Sequence, residues 1–212
     1  FDYMDAIGVS RYLPVLVYPK GKPEKAAYFG HRLEGFQKEV KPFWTPESQT
    51  NSSGALDTMK RATDYLRSSG IPNKRTGIET TFMPMDAGAV LRKAMPDADI
   101  QDALVVLERL RLRKSPQELA MLKTSSEKVI DAMMATIAQS GPGTTKAEFT
   151  ETLRREEVNR GLTFEYCLEA AGASHNRAPS PQRWEKGDVL SVDSGANYHG
   201  YIGDLARMAI LG

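Results

Sequence analysis

Near the end of the chain, two strand-like runs flank Gly195-Ala196-Asn197-Tyr198-His199-Gly200. The first is Val189-Leu190-Ser191-Val192-Asp193 and the second runs from Tyr201 to Leu211. The pattern predicts a hairpin with 195–200 as its loop. This hairpin constrains the fold most, because its two strands carry Asp193 and Asp204, eleven positions apart. With the turn centred between Tyr198 and His199, the two carboxylates face each other directly, with Cβ atoms about 4.5–5.5 Å apart. Like charges at that range repel, so both are kept when a cation lies between them or one carries a proton. An all-oxygen site of this kind suits Mn, Mg, Co or Zn. Gly195 and Gly203 remove side-chain bulk nearby, and a bulge at Gly203 would re-aim Asp204. A plainer reading stays open: each Asp caps a turn or pairs with Arg207, since Asp-Ser-Gly is ordinary turn chemistry.

Upstream, strand-like and helix-like runs alternate to about residue 112, as in a small α/β domain. Leu13 to Pro19 and Ala26-Ala27-Tyr28-Phe29 read as short strands, as does Gly77-Ile78-Glu79. Leu56, Met59, Ala62, Tyr65 and Leu66 recur at helical spacing, and Met83 to Met95 reads as a helix. The stretch 103–140 is the clearest helical segment. Within it Ser115-Pro116-Gln117-Glu118 is a capping box with proline at the first helical position. Ser140-Gly141-Pro142-Gly143 stops the helix. It is too short for a phosphate loop and lacks the following Lys-Ser/Thr. Thr145-Lys146-Ala147-Glu148 is a second capping box, with Phe149 and Leu153 opening its buried face and Gly161 closing it. Residues 162–168 alternate like a strand, and 173–185 form a polar loop.

Composition narrows the partners. The formal net charge is +1 and charged residues make up 26% of 212 positions, spread along the chain. No basic or acidic field marks a nucleic-acid or membrane partner. No apolar run reaches the roughly 18 residues of a membrane span. The single cysteine, Cys167, rules out an intramolecular disulfide and reads as a buried structural thiol. These features point to the cytoplasm. The chain opens on Phe1-Asp2-Tyr3 and stops at Leu211-Gly212, so both ends read as cut.

At the hairpin the sequence resembles a known family. Gly187-Asp188-Val189-Leu190-Ser191-Val192-Asp193-Ser194-Gly195, followed by Tyr198-His199-Gly200-Tyr201-Ile202-Gly203-Asp204-Leu205-Ala206-Arg207, is similar to the pita-bread metallopeptidases of family M24. These include methionine aminopeptidases, Xaa-Pro aminopeptidases, Xaa-Pro dipeptidases and creatinase. Arg113 to Glu118 and the helix after it resemble the entry to their catalytic domain. The resemblance implies a mixed α/β (α+β) fold: a small N-terminal creatinase/prolidase-like α/β domain over 1–110, then the first half of a pita-bread domain over 111–212. It implies two divalent metal ions (Mn, Co or Zn), with Asp193 binding one and Asp204 bridging both. The family's remaining ligands, a His and two Glu, would lie beyond Gly212, so the chain as given is expected to be inactive alone.

The resemblance also implies a substrate-side histidine ahead of the Gly-Asp motif. Counting back places it at Asn176, one position from His175, and a one-residue loop difference makes His175 the catalytic candidate. The alternative is an exposed loop histidine. His199 reads as a turn tip and His31 as unconnected to chemistry. Arg177 is either a solvated loop arginine or a contact for a substrate carboxylate. Three functions stay open: an Xaa-Pro aminopeptidase or dipeptidase, a creatinase-like hydrolase of small amides, or a non-catalytic binding module on the same fold. A homodimer acting on a peptide or small amide is expected, with no nucleic-acid or membrane partner.

Overall fold

The computed structural model describes residues 13–212. Phe1-Asp2-Tyr3, and with it the start of the expected first domain, lies outside the described residues. The chain divides into two compact units, Phe1–Leu112 and Arg113–Gly212.

In the first unit, β1 (Val15–Val17) pairs antiparallel with β2 (Ala27–His31). A short helix, α1 (Gln37–Val40), precedes β3 (Glu47–Ser52), which runs parallel to β2. Helix α2 (Ala55–Ser68) follows. Strand β4 (Arg75–Ile78), helix α3 (Met85–Ala94) and strand β5 (Asp99–Asp102) then make a parallel crossover unit. The unit closes on α4 (Leu104–Leu112). Ala55 and Met59 of α2 pack with Ala87 and Leu91 of α3 and with Met95. Strand β3 has no apolar alternation and was not expected from the sequence. Pairing with β2 holds it, and at its end the buried Ser52 hydroxyl donates to Gly30 O at 2.8 Å.

The second unit begins where Pro116 interrupts the helical stretch, because the residue before a proline avoids the helical region. The helical stretch 103–140 is made of two helices, α4 and α5 (Pro116–Gln139), the second starting at the expected capping box. Both capping boxes form. Glu118 N donates to Ser115 Oγ at 3.3 Å and Ser115 N to Glu118 Oε2 at 2.6 Å. Thr145 and Glu148 repeat this at the start of α6 (Lys146–Asn159), at 3.1 and 2.8 Å.

Strands β6 (Thr163–Ala171), β7 (Val189–Tyr198) and β8 (Tyr201–Ile210) form an antiparallel sheet with β7 in the centre. Side chains alternate across it. Cys167, Ala171, Leu190, Val192 and Ala196 turn to the helices. There they meet Val129, Ala132 and Met133 of α5, Phe149 and Leu153 of α6, and Trp184. Val129, Ala132, Met133 and Thr136 follow the helical repeat, and burying each large apolar side chain contributes about 1.5–3 kcal/mol. Met133 is core filler, as its sequence context predicts. Cys167 is buried and free, and burial pushes its thiol up to about 12, which leaves it unreactive.

Candidate metal centre

The hairpin turn is tighter than expected. Strand β7 continues to Tyr198, which pairs with Tyr201, so only His199 and Gly200 form the turn. Both take positive φ, 52° and 93°, the conformation that matches the twist of two-residue hairpins. The Asn197 side chain supports the turn by accepting from Gly200 N at 2.7 Å. His199 is exposed at the tip, edge-on to the Tyr198 ring.

This turn corrects the register. Asp193 pairs with Ala206, and Asp204 with Gly195. The two carboxylates are diagonal neighbours rather than directly opposed. A shift of two residues keeps both on the same sheet face, whereas a shift of one would have separated them. That face is the one turned away from the helices.

The glycines act differently from expectation as well. β7 and β8 pair without a break, so there is no bulge at Gly203. A Cβ there would lie 2.7 Å from the Ser125 carbonyl carbon, so Gly203 lets helix α5 approach the sheet. Ser125 fixes that approach: its hydroxyl donates to Ala196 O at 3.0 Å and accepts from Gly203 N at 2.8 Å. The register irregularity lies in β6, between Phe164 and Tyr166. It sets Tyr166 opposite Gly195, and a Cβ on Gly195 would lie 2.5 Å from the Tyr166 ring. Tyr166, Gly195 and Asp204 thus form one row across three strands, and the phenol reaches over the glycine.

That reach ends in a bond. Tyr166 donates from its hydroxyl to Asp204 Oδ1 at 2.5 Å. Burial, the bond to Asp204 and the nearby Asp193 and Asp204 charges all hold the phenol protonated, well above the usual tyrosine range. Tyr166 therefore remains a donor at any physiological pH. Asp193 has its own partner: Arg177 Nη2 lies 2.6 Å from Asp193 Oδ2. Arg207 does not serve either carboxylate; its Nη1 donates to Ala206 O. His175 is exposed on the 172–188 loop and forms no bond to Asp193 or Asp204. Tyr166 was missed in the sequence because its role depends on an irregularity that leaves no residue signature.

A polar layer lies beneath the site. Ser194 Oγ is 2.9 Å from Glu157 Oε1 and 2.7 Å from Tyr166 O. A hydroxyl has one proton and a carbonyl only accepts, so all three groups are paired when Glu157 is protonated and donates to Ser194. Burial pushes Glu157 up to about 7 and Glu169, on the same side, up to about 8.

Do these residues fit a cation? Asp193 and Asp204 supply hard carboxylate oxygens on one exposed face, the donor chemistry that divalent ions favour. They suffice as two donors of a larger set. Among the described residues, no group of three or more His, Cys, Asp or Glu is placed to hold a metal ion.

The chain is similar to several known proteins. Residues 120–212 match the model of metallopeptidase family M24. The uncharacterized peptidase YqhT of Bacillus subtilis (strain 168) is 27% identical over 154 residues, covering 70% of this chain and 43% of that protein. The Xaa-Pro aminopeptidase of Escherichia coli (strain K12) is 25% identical over 107 residues, 48% of this chain and 24% of that protein. A recombinant prolidase from Thermococcus sibiricus superposes with a TM-score of 0.77 at 22% identity, covering 97% of this chain and 56% of that one. The chain has the mixed α/β fold of the pita-bread peptidases. The chain spans less than half the length of the curated relatives it matches.

Proposed function

We propose that this chain is part of a metal-dependent peptidase of the Xaa-Pro aminopeptidase or dipeptidase type. The observation that carries this reading is the diagonal pair Asp193 and Asp204 on the uncovered face of a hairpin within the M24-matching segment. The names of two relatives, an Xaa-Pro aminopeptidase and a prolidase, support the substrate class.

Asp193 and Asp204 would hold two divalent ions together with donors from outside this chain. Such ions lower the pKa of water and polarise a scissile carbonyl. The chain's own residues prepare the site. Tyr166 fixes the orientation of Asp204 by donating to Oδ1, which leaves Oδ2 available. Gly195 clears the path for that phenol. Ser125 and Gly203 lock β8 against α5, so that Asp204 rests on a rigid strand. Asp193 is set by the central strand and by Arg177.

The test uses the full-length protein loaded with Mn(II). It should release the N-terminal residue from Xaa-Pro peptides, and Asp193→Asn or Asp204→Asn should each lower kcat at least 100-fold. Activity on creatine-like small amides but not on Xaa-Pro peptides would replace the peptidase reading. Full activity in either Asn variant would overturn the assignment of the carboxylates. Sedimentation of the same sample tests the homodimer, and subcellular fractionation tests the cytoplasmic location.

A further inference from the structure

We infer that Arg177 is a built-in counter-cation for Asp193, one that competes with the metal and must release the carboxylate for full loading. The inference rests on the proposed metal site and goes beyond it to a residue of the 172–188 loop.

Arg177 is not a free surface side chain that settled on a nearby acid. Its backbone is pinned on both sides. Glu169 N donates to Arg177 O at 3.0 Å, which ties the loop to β6. The preceding carbonyl, Asn176 O, accepts from Lys146 Nζ, and Lys146 is fully buried. The buried ammonium, which also interacts with the charge of the buried Glu169, spends a hydrogen bond on this loop carbonyl and so anchors it. The N-terminus of α6 holds the rest of the loop: Ala147 N donates to Ser180 O and Lys146 N to Gln182 O, each at 3.0 Å. From this fixed base the Arg177 side chain reaches to the central strand and meets Asp193 at 2.6 Å.

The charges then decide the outcome. A guanidinium stays protonated at any working pH, so this partner cannot leave by titration. A divalent ion on Asp193 would bring a second positive centre within a few ångströms of the first. Like charges at such range disfavour each other, so ion and guanidinium compete for one carboxylate. Arg177 thereby neutralises Asp193 beside Asp204 when no ion is present. It weakens the first ion by the free energy of the pair it displaces. Once displaced, the tethered guanidinium stands at the rim of the site, where it suits an anionic group of a substrate.

Metal titration of the full-length apoprotein tests this, with Mn(II) followed by calorimetry and by the electron paramagnetic resonance signal of free Mn(II). Arg177→Met should bind the first Mn(II) at least fivefold more tightly than wild type. Arg177→Lys, which keeps the charge, should stay within about twofold of wild type. Weaker or unchanged binding in Arg177→Met, with wild type binding normally, would overturn the inference and leave the peptidase reading intact. Tightening in both variants alike would also overturn it, because charge would then not be the cause. Failure of wild type and variants alike to bind Mn(II) would overturn the metal-site reading itself.

Discussion

The two faces of the β6–β8 sheet are made from the same strands and do opposite work. The helix-facing side carries Leu190, Val192 and Ala196, all buried among α5 and α6. The other side carries Asp193 and Asp204, their partners Tyr166 and Arg177, and exposed apolar residues including Ile202, Met208 and Ile210. Strand alternation separates the two sets at no cost in chain length. One face supplies the stability that lets the other keep two acids side by side. An uncovered apolar rim around a polar centre is the pattern of a surface that receives a partner.

The contrast should be largest for core substitutions. Phe149→Ala, on the helix-facing side, should destabilise by about 3–5 kcal/mol, whereas Met208→Ala on the open face should cost under about 0.5 kcal/mol. Urea denaturation measures both. Equal losses would mean that the open face is as packed as the covered one.

The two glycines sharpen the comparison next, because they act on different faces. Gly203→Ala forces a Cβ against the backbone of α5, which cannot yield without moving the helix, and should cost about 1–3 kcal/mol. Gly195→Ala pushes on the Tyr166 ring, which can swing away. It should cost less stability but weaken metal binding by about tenfold, as should Tyr166→Phe, through loss of a bond worth about 1.5 kcal/mol. Thermal melts and metal titrations separate the two outcomes.

The buried acids add a pH effect on the covered face. Glu157 and Glu169 have folded values of about 7 and 8, above the ordinary 4.5. An acid whose folded pKa is raised binds its proton more tightly in the folded state. Its contribution is fully present below about pH 4.5 and is lost as pH rises through 7 and 8. Wild-type Tm should therefore fall as the pH rises from 5 to 8.5. Glu157→Gln should flatten that slope; an unchanged slope would place the titration elsewhere.

The helices and their caps were legible because each start is written in adjacent residues, as at Ser115 and Thr145. The core face of α5 was legible from its repeat. The hairpin is legible, but its register lies two residues from the one its composition predicts, since Gly195-Ala196-Asn197 looks like loop composition. In fact Gly195 is strand, small because the Tyr166 ring crosses it, and Asn197 serves the turn with its side chain. That shift leaves both acids on one face because the side-chain period is also two. The bond of Arg177 to Asp193 depends on a loop held by Lys146, a residue whose full burial no local pattern signals. Strand β3 was invisible for a related reason: backbone pairing, not apolar alternation, defines it.

On the proposed reading, Asp193 and Asp204 jointly hold metal on the open face. Elemental analysis of the full-length protein, dialysed after Mn(II) loading, tests it most directly. Wild type should retain close to two ions per chain, and both Asp193→Asn and Asp204→Asn one or fewer, with folding retained. Wild-type metal content in either variant would contradict it.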